Sequence, residues 1–199
     1  AFDKKNNMYF IDEFNGGSIY RYSAATPNTG ATFFNGGTSS VLRVGDGNTA
    51  NATGAFSWVN FTDAAGVGLA GAVTIDDPNG ITSVDGRATT DLAAFKGTDY
   101  QRPEDLEIQT LANGDEVLYV ATTTTNEVYS INLATNEIQT FVSRATIDAI
   151  VRERFQVVEL DEVVLRRFVD LVTRLVISYA VNAPDDPPDV VARIAAAVL

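Results

Sequence analysis

Residues 102–107 are the part of the sequence whose side chains are best suited to chemistry. Three carboxylates, Glu104, Asp105 and Glu107, stand within four residues, directly after a proline that restricts the backbone. In an extended strand, Asp105 and Glu107 would lie on one face and Glu104 on the other. Oxygen ligands at this density suit calcium or another hard cation better than zinc. The segment therefore predicts a metal site, although a solvated acidic loop would have the same composition. Arg102 is expected to hold one of these carboxylates in a bidentate pair.

A second pair of carboxylates, Asp12 and Glu13, follows an apolar run at residues 9–11. The pair lies at the predicted end of a strand, directly before a glycine turn, which is a position where β proteins display ligands. Ordinary polarity at a strand end is the alternative. We predict Asp12 and Glu13 as further metal ligands, and no catalytic residue is assigned.

The composition excludes many kinds of site. The chain has no histidine and no cysteine. It therefore has no Ser-His-Asp triad, no cysteine nucleophile, no disulfide and none of the common zinc sites. Its net charge of −12 argues against nucleic acid as a partner. No uninterrupted apolar run reaches the roughly 18 residues that a membrane span needs.

The elements that would position these carboxylates belong to a chain with two compositions. All 15 glycines lie at or before Gly114, and no lysine follows Ala145. We therefore predict a β domain over residues 1–145 and a helical appendage over residues 146–199. In the β domain, residues 8–22 and 116–142 alternate with period two and are interrupted by Asn and Gly turns, which predicts antiparallel meanders.

The two meanders share a pattern in which apolar residues flank a tyrosine on each side of a turn. Such recurrence is typical of the blades of a β-propeller. The predicted fold class is mainly β, a partial β-propeller of antiparallel meanders, followed by an all-α C-terminal segment of about three helices. Two unrelated hairpins in an all-β domain would give the same pattern.

The helical segment has one unusual feature, an apolar face over residues 160–181 that is wider than a surface helix needs. Thr146 is a plausible N-cap of the first helix, and the Pro-Asp-Asp-Pro-Pro sequence at 184–188 separates the last two. The wide face predicts a homo-oligomer formed through residues 160–181.

The first part of the chain resembles a known family. Residues 9–13 (Tyr-Phe-Ile-Asp-Glu), residues 17–22 (Gly-Ser-Ile-Tyr-Arg-Tyr) and residues 102–107 (Arg-Pro-Glu-Asp-Leu-Glu) are similar in type and order to segments of PhoX-type alkaline phosphatases. The resemblance covers residues 1 to about 145. It implies a secreted, extracellular or periplasmic hydrolase with a β-propeller fold, and calcium together with iron in a phosphomonoesterase site. It would place metal ligation on Asp12, Glu13 and Glu104, and then on Asp105 and Glu107.

The chain departs from that family in two ways. The family's upstream segment, with its Cys-Glu-Glu-Asn-like iron ligands, has no counterpart here, and the family's members are much longer. The expected protein is therefore a metal-dependent phosphomonoesterase-like β-propeller fragment, incomplete as an enzyme, that acts on a phosphoester substrate.

The second part of the chain resembles another family. Residues 167–180, with the proline-rich loop that follows, are similar to the C-terminal helical domain of TetR-type repressors. That domain would bind an effector and dimerise in the cytoplasm; the DNA-reading helices are missing. Two alternatives to the phosphatase therefore stand: a non-enzymatic interaction or structural module that self-associates through its helices, and a TetR-like ligand-binding and dimerisation domain.

Overall fold

The structure is a computed structural model that describes residues 1–146 and residue 149. The chain divides into two compact units, Ala1–Ser143 and Arg144–Leu199. All of the described strands belong to the first unit. In the second unit residues 144–146 and residue 149 are helical, and the rest of the predicted helical segment, including the face at 160–181, lies outside the described residues.

The first unit is built mainly from β-strands. The strands are β1 (Met8–Ile11), β2 (Asn15–Gly17), β3 (Ile19–Ala24), β4 (Gly37–Val44), β5 (Gly54–Asn60), β6 (Thr74–Asp76), β7 (Thr82–Val84), β8 (Tyr100–Gln101), β9 (Pro103–Thr110), β10 (Glu116–Thr122), β11 (Glu127–Asn132) and β12 (Glu137–Ser143). A 3₁₀ turn (Gly30–Thr32) and a short helix α1 (Gly86–Thr90) accompany them. Asn126 and Asn136 turn the chain between the last three strands with φ of 54° and 55°, a left-handed conformation that asparagine tolerates.

Eight of these strands form one antiparallel sheet in the order β1-β3-β4-β5-β12-β11-β10-β9. It consists of two four-stranded meanders. A short pairing joins them, in which Gly54 lies opposite Ile138 and Ala55 opposite Glu137. The outer strands β1 and β9 also contact each other, so the sheet is nearly closed and barrel-like. Two smaller sheets pair β2 with β8 and β6 with β7.

The predicted fold class is therefore wrong. A propeller blade is a separate four-stranded sheet, whereas here hydrogen bonds between β5 and β12 join both meanders into a single sheet that curves around one core. The positions of the strands at residues 8–11 and 116–142 are confirmed, but their assembly is not the predicted one. In the part of the chain that the structure describes, helix is limited to short pieces such as α1.

The inside of the curved sheet holds the larger core. Tyr100, Tyr129, Leu118 and Ile131 are almost completely buried there, together with Ile19 and Leu42 from the first meander. Leu106 and Ile108 of β9 pack against the same core from the far edge. Burial of these side chains is the main source of stability for the sheet.

The outer face of β3 and β4 carries a second, smaller core. Tyr20 and Val41 point outwards and pack against Phe61 and Phe95, which come from the chain that follows β5. Val41 and Leu42 are neighbours in sequence and both are fully buried, one on each face of the sheet. The chain between β5 and β8 is thus a cover for this part of the sheet.

Among the described residues, no helix has the length and apolarity that crossing a membrane requires.

Candidate functional site

A tight reversal of the chain places the first pair of predicted ligands. Asp12 and Glu13 follow β1, and the chain then returns through β2 and β3. A Cβ atom at Gly17 would lie 1.9 Å from the carbonyl oxygen of Asp12, so only glycine fits this reversal. β2 pairs with β8, and the N–H of Arg102 donates a hydrogen bond of 3.1 Å to the carbonyl of Phe14. The backbone therefore brings the two acidic segments to the same end of the sheet.

Arg102 is the residue on which the two acidic segments meet. Its Nη2 donates a 2.8 Å hydrogen bond to Oε1 of Glu13, and both side chains are about half exposed. The hydrogen bond to Glu13, together with the charge of Glu104, raises the pKa of Arg102. The sequence predicts that Arg102 holds a carboxylate of its own segment by a bidentate pair, whereas in the structure its guanidinium donates to Glu13 of the other segment.

The backbone of Arg102 is itself unusual, with a φ of 58°. A side chain other than that of glycine, asparagine or aspartate is uncommon in this left-handed region and costs on the order of 1 kcal/mol or more. The hydrogen bonds on either side of the residue hold it there. Thr123 donates its N–H to the Arg102 carbonyl at 3.1 Å.

Asp12 has a different arginine partner. Nε of Arg87 donates to Oδ2 of Asp12 at 2.5 Å, and Nη2 of Arg87 donates to Oδ1, so the pair is bidentate. The Asp12 side chain is only 15% exposed, and its carboxylate raises the pKa of Arg87. The Arg87 guanidinium also lies 4.8 Å from the ring centre of Phe14. Both carboxylate oxygens of Asp12 thus accept hydrogen bonds from Arg87.

The remaining predicted ligands lie along β9. Leu106 and Ile108 point to the inner core. The alternation breaks before them: Pro103 lies opposite Thr122 and Asp105 opposite Ala121, so Glu104 is an extra, exposed residue in a β-bulge, and the predicted placing of Glu104 on the face opposite Asp105 is wrong. Asp105 and Glu107 lie on the opposite face and are exposed. The charge of Glu107 also reaches the amino group of Ala1, whose pKa is lowered by burial and raised in part by this carboxylate.

The five predicted ligands are therefore divided among three places. Glu13 and Glu104 flank Arg102, Asp12 binds Arg87, and Asp105 and Glu107 lie on the far face of β9. Within residues 1–146 and 149, no three acidic side chains come close enough to form a metal-binding group. A cation cage made only of protein oxygens does not fit this arrangement. A hard cation that keeps water and shares a phosphate needs only one or two carboxylates. Glu13 and Glu104 are the two predicted ligands that act on the same residue, Arg102.

A cleft of about 690 Å³ opens beside the Asp12–Arg87 pair. Phe10 and Tyr20 of the sheet form one side. The other side comes from the chain after β5, including β7 and the start of α1. The Asp85 carboxylate accepts a 3.0 Å hydrogen bond from the N–H of Ala88 and so begins α1, which carries Arg87.

Sequence patterns indicated neither this cleft nor Arg87. The pairing of Arg87 with Asp12 spans 75 residues, and nothing in the sequence around Arg87 marks it as a partner. The only available signal was the scarcity of cations, since 26 acidic residues share 14 basic ones and an arginine is then expected to pair with a carboxylate.

A polar cluster closes the inner core near the start of the chain. The buried Asp3 accepts hydrogen bonds from the Tyr9 hydroxyl at 3.0 Å and from the N–H of Asn7 at 2.8 Å. Burial, and then the charge of Asp3, raises the pKa of Tyr9. Arg21 lies beside Tyr9, with its guanidinium carbon 4.7 Å from the centre of the Trp58 ring. The cluster ties residues 1–7 to the sheet and is structural.

Comparisons of the chain with models of known protein families, with curated proteins and with solved structures found no match.

Proposed function

We propose that the first unit binds phosphomonoesters as a metal-dependent phosphomonoesterase-like domain, at the end of the sheet where Glu13, Arg102 and Glu104 meet. The observation that supports this proposal is the convergence on one guanidinium of two acidic segments that are distant in sequence. The same two segments carry the resemblance to PhoX-type alkaline phosphatases. Phosphoryl transfer depends mainly on positioning and charge stabilisation, which this set of residues supplies without histidine or cysteine.

Each residue of the set has a distinct role in the proposal. Arg102 is half exposed and presents further N–H donors that suit the oxygens of a phosphate group. Glu13 orients the guanidinium, and Glu104 supplies a second carboxylate next to it. A bound hard cation would neutralise phosphate oxygens at this point. Because the whole chain carries a charge of −12, we expect phosphate binding to require such a cation.

The test is hydrolysis of p-nitrophenyl phosphate by the full chain, with calcium, with ferric iron and with EDTA, alongside melting curves with and without calcium. We expect hydrolysis only when metal is present, and a higher melting temperature in calcium. Glu104→Gln should lose both effects. Glu107→Gln is the matched control, because it makes the same change at another exposed position of the same strand, and Glu107 does not act on Arg102.

Two results would contradict the proposal. One is the absence of both metal-dependent hydrolysis and a calcium effect on melting in the unchanged chain. The other is an equal loss in Glu104→Gln and Glu107→Gln, which would separate the activity from the convergence at Arg102.

A second candidate function is a non-enzymatic interaction module that self-associates. The observation that favours it is an exposed aromatic cluster in which Phe2 and Phe34 are 55% and 70% exposed and both rings contact Phe33. Exposed apolar patches often mark interaction surfaces. Sedimentation that shows a monomer at high concentration would count against it. Self-association through residues 160–181 and a TetR-like ligand site both concern residues outside the described ones and stay predictions.

A further inference from the structure

The cleft beside Asp12 and Arg87 has the size and the walls of a small-molecule site. Its volume of about 690 Å³ lies inside the roughly 300–1,000 Å³ range in which ligand sites fall. It is bounded by the sheet on one side and by the covering chain on the other. The two sides are held together by the outer core around Val41, so the cleft is part of the folded structure.

One side of the cleft is a supported aromatic surface. The ring of Phe10 stacks on Tyr20, with centroids 5.1 Å apart and planes 13° from parallel. Tyr20 is itself fixed by the edge of Phe61 at 6.2 Å and by a 3.2 Å hydrogen bond to Thr90. Phe10 is 37% exposed. Because Tyr20 covers one face of Phe10, the exposed part of that ring is its other face and its edge.

The other groups around the cleft are polar and of mixed kind. They are the paired Asp12 and Arg87, the carboxylate of Asp85, and the hydroxyls of Thr82 and Ser83. Two carboxylates against one guanidinium leave the lining negative, which disfavours an anionic ligand. Carboxylates accept hydrogen bonds, a guanidinium donates them, and hydroxyls do both. This mixture matches a ligand that carries many neutral hydroxyl groups.

We propose that this cleft binds a neutral saccharide, whose ring packs its C–H face on Phe10 while its hydroxyls bond to the Asp12–Arg87 pair and to Ser83. The C–H groups of a sugar ring are slightly positive, and the face of an aromatic ring is slightly negative, so the two attract when stacked. The site does not rest on the phosphomonoesterase proposal, because it uses neither Arg102 nor a metal.

The experiment is saturation-transfer NMR on the full chain in EDTA, with cellobiose, maltose and diacetylchitobiose as separate probes. We expect transfer from aromatic protons to the ring protons of at least one disaccharide. Phe10→Leu should weaken that binding about tenfold, which corresponds to 1.4 kcal/mol. Phe141→Leu is the matched control, because Phe141 is a 51% exposed phenylalanine that lies outside the cleft, and its binding should equal that of the unchanged chain.

A second variant keeps the proposal testable if Phe10→Leu does not fold. Ser83 is exposed on β7, and Ser83→Tyr would place a large side chain in the cleft without disturbing a core. It should weaken binding at least tenfold while the melting temperature stays unchanged. Transfer to none of the three sugars in EDTA, or full binding by Ser83→Tyr, would each overturn the proposal. Binding of adenosine as a fourth probe, without any sugar, would overturn it in favour of a nucleoside.

Discussion

Replacing Val41 by alanine removes two methyl groups from the outer face of β4, where this side chain is fully buried. Each buried methylene equivalent contributes about 0.8 kcal/mol, so the transfer free energy alone gives about 1.6 kcal/mol. The remaining cavity adds to this, because Tyr20, Phe61 and Phe95 are held by their own contacts and close it only in part. We expect Val41→Ala to lower the free energy of unfolding by about 2–3 kcal/mol.

The size of this loss in unfolding free energy reports on the covering chain, because that chain supplies Phe61 and Phe95, which bury Val41. If the outer face of β4 were open to water, Val41→Ala would change stability by less than about 0.5 kcal/mol. Val67→Ala is the matched control, since Val67 is 62% exposed, and it should stay within that limit. Leu42→Ala makes the corresponding cavity on the inner face and should cost roughly 2–5 kcal/mol.

The assay is urea unfolding of the full chain followed by tryptophan fluorescence. Trp58 is the only tryptophan and packs against Phe56 and the inner core, so its emission reports the first unit. A loss for Val41→Ala as small as that for Val67→Ala would refute the two-sided burial of β4. It would also remove one wall of the cleft.

Two further predictions concern the outer core around Val41 and the tyrosines of the inner core. In Gly97→Ala the new Cβ would lie 2.4 Å from Cγ2 of Val41, so we expect about 1–3 kcal/mol of destabilisation in thermal melts. Gly30→Ala, where no atom lies within 4 Å, should melt almost unchanged, and equal effects would contradict the close packing. Burial raises the pKa of Tyr9 and of Tyr100 above the value of about 10 in an unfolded chain. Above that pH the folded state holds more protons, so this stabilisation is complete below about pH 10 and falls as the pH rises. Tyrosinate absorbance and circular dichroism should therefore change together at alkaline pH, and ionisation of these buried tyrosines without unfolding would contradict the reasoning.

The local elements of the fold were predictable because their signals are local. The strands that begin at Glu116, Glu127 and Glu137 alternate with period two, and asparagine turns separate them. The extended segment after Arg102 was predictable for the same reason. Its predicted alternation holds from Asp105 onwards but fails at Glu104, where a β-bulge set by the pairing with β10 adds one residue.

The candidate site was predictable only in part, because its contacts join residues that are far apart. Sequence patterns predicted metal ligation at Asp12, Glu13, Glu104, Asp105 and Glu107, and this stays a prediction. They gave no reason to pair Asp12 with Arg87 or Glu13 with Arg102. Those pairs depend on where β2 meets β8 and where α1 docks, and both are results of tertiary packing.

The assembly of the sheet shows why the fold class could not be obtained from the pattern. A four-stranded meander has the same alternation and the same turns whether it stands alone as a blade or continues into a neighbouring sheet. What separates the two cases here is a short pairing, in which Gly54 and Ala55 lie opposite Ile138 and Glu137. Two opposed residue pairs are too few to leave a signal in either strand. They are nevertheless enough to place both meanders around one core, because Ile138 is fully buried in that core and fixes which face of β12 turns inwards.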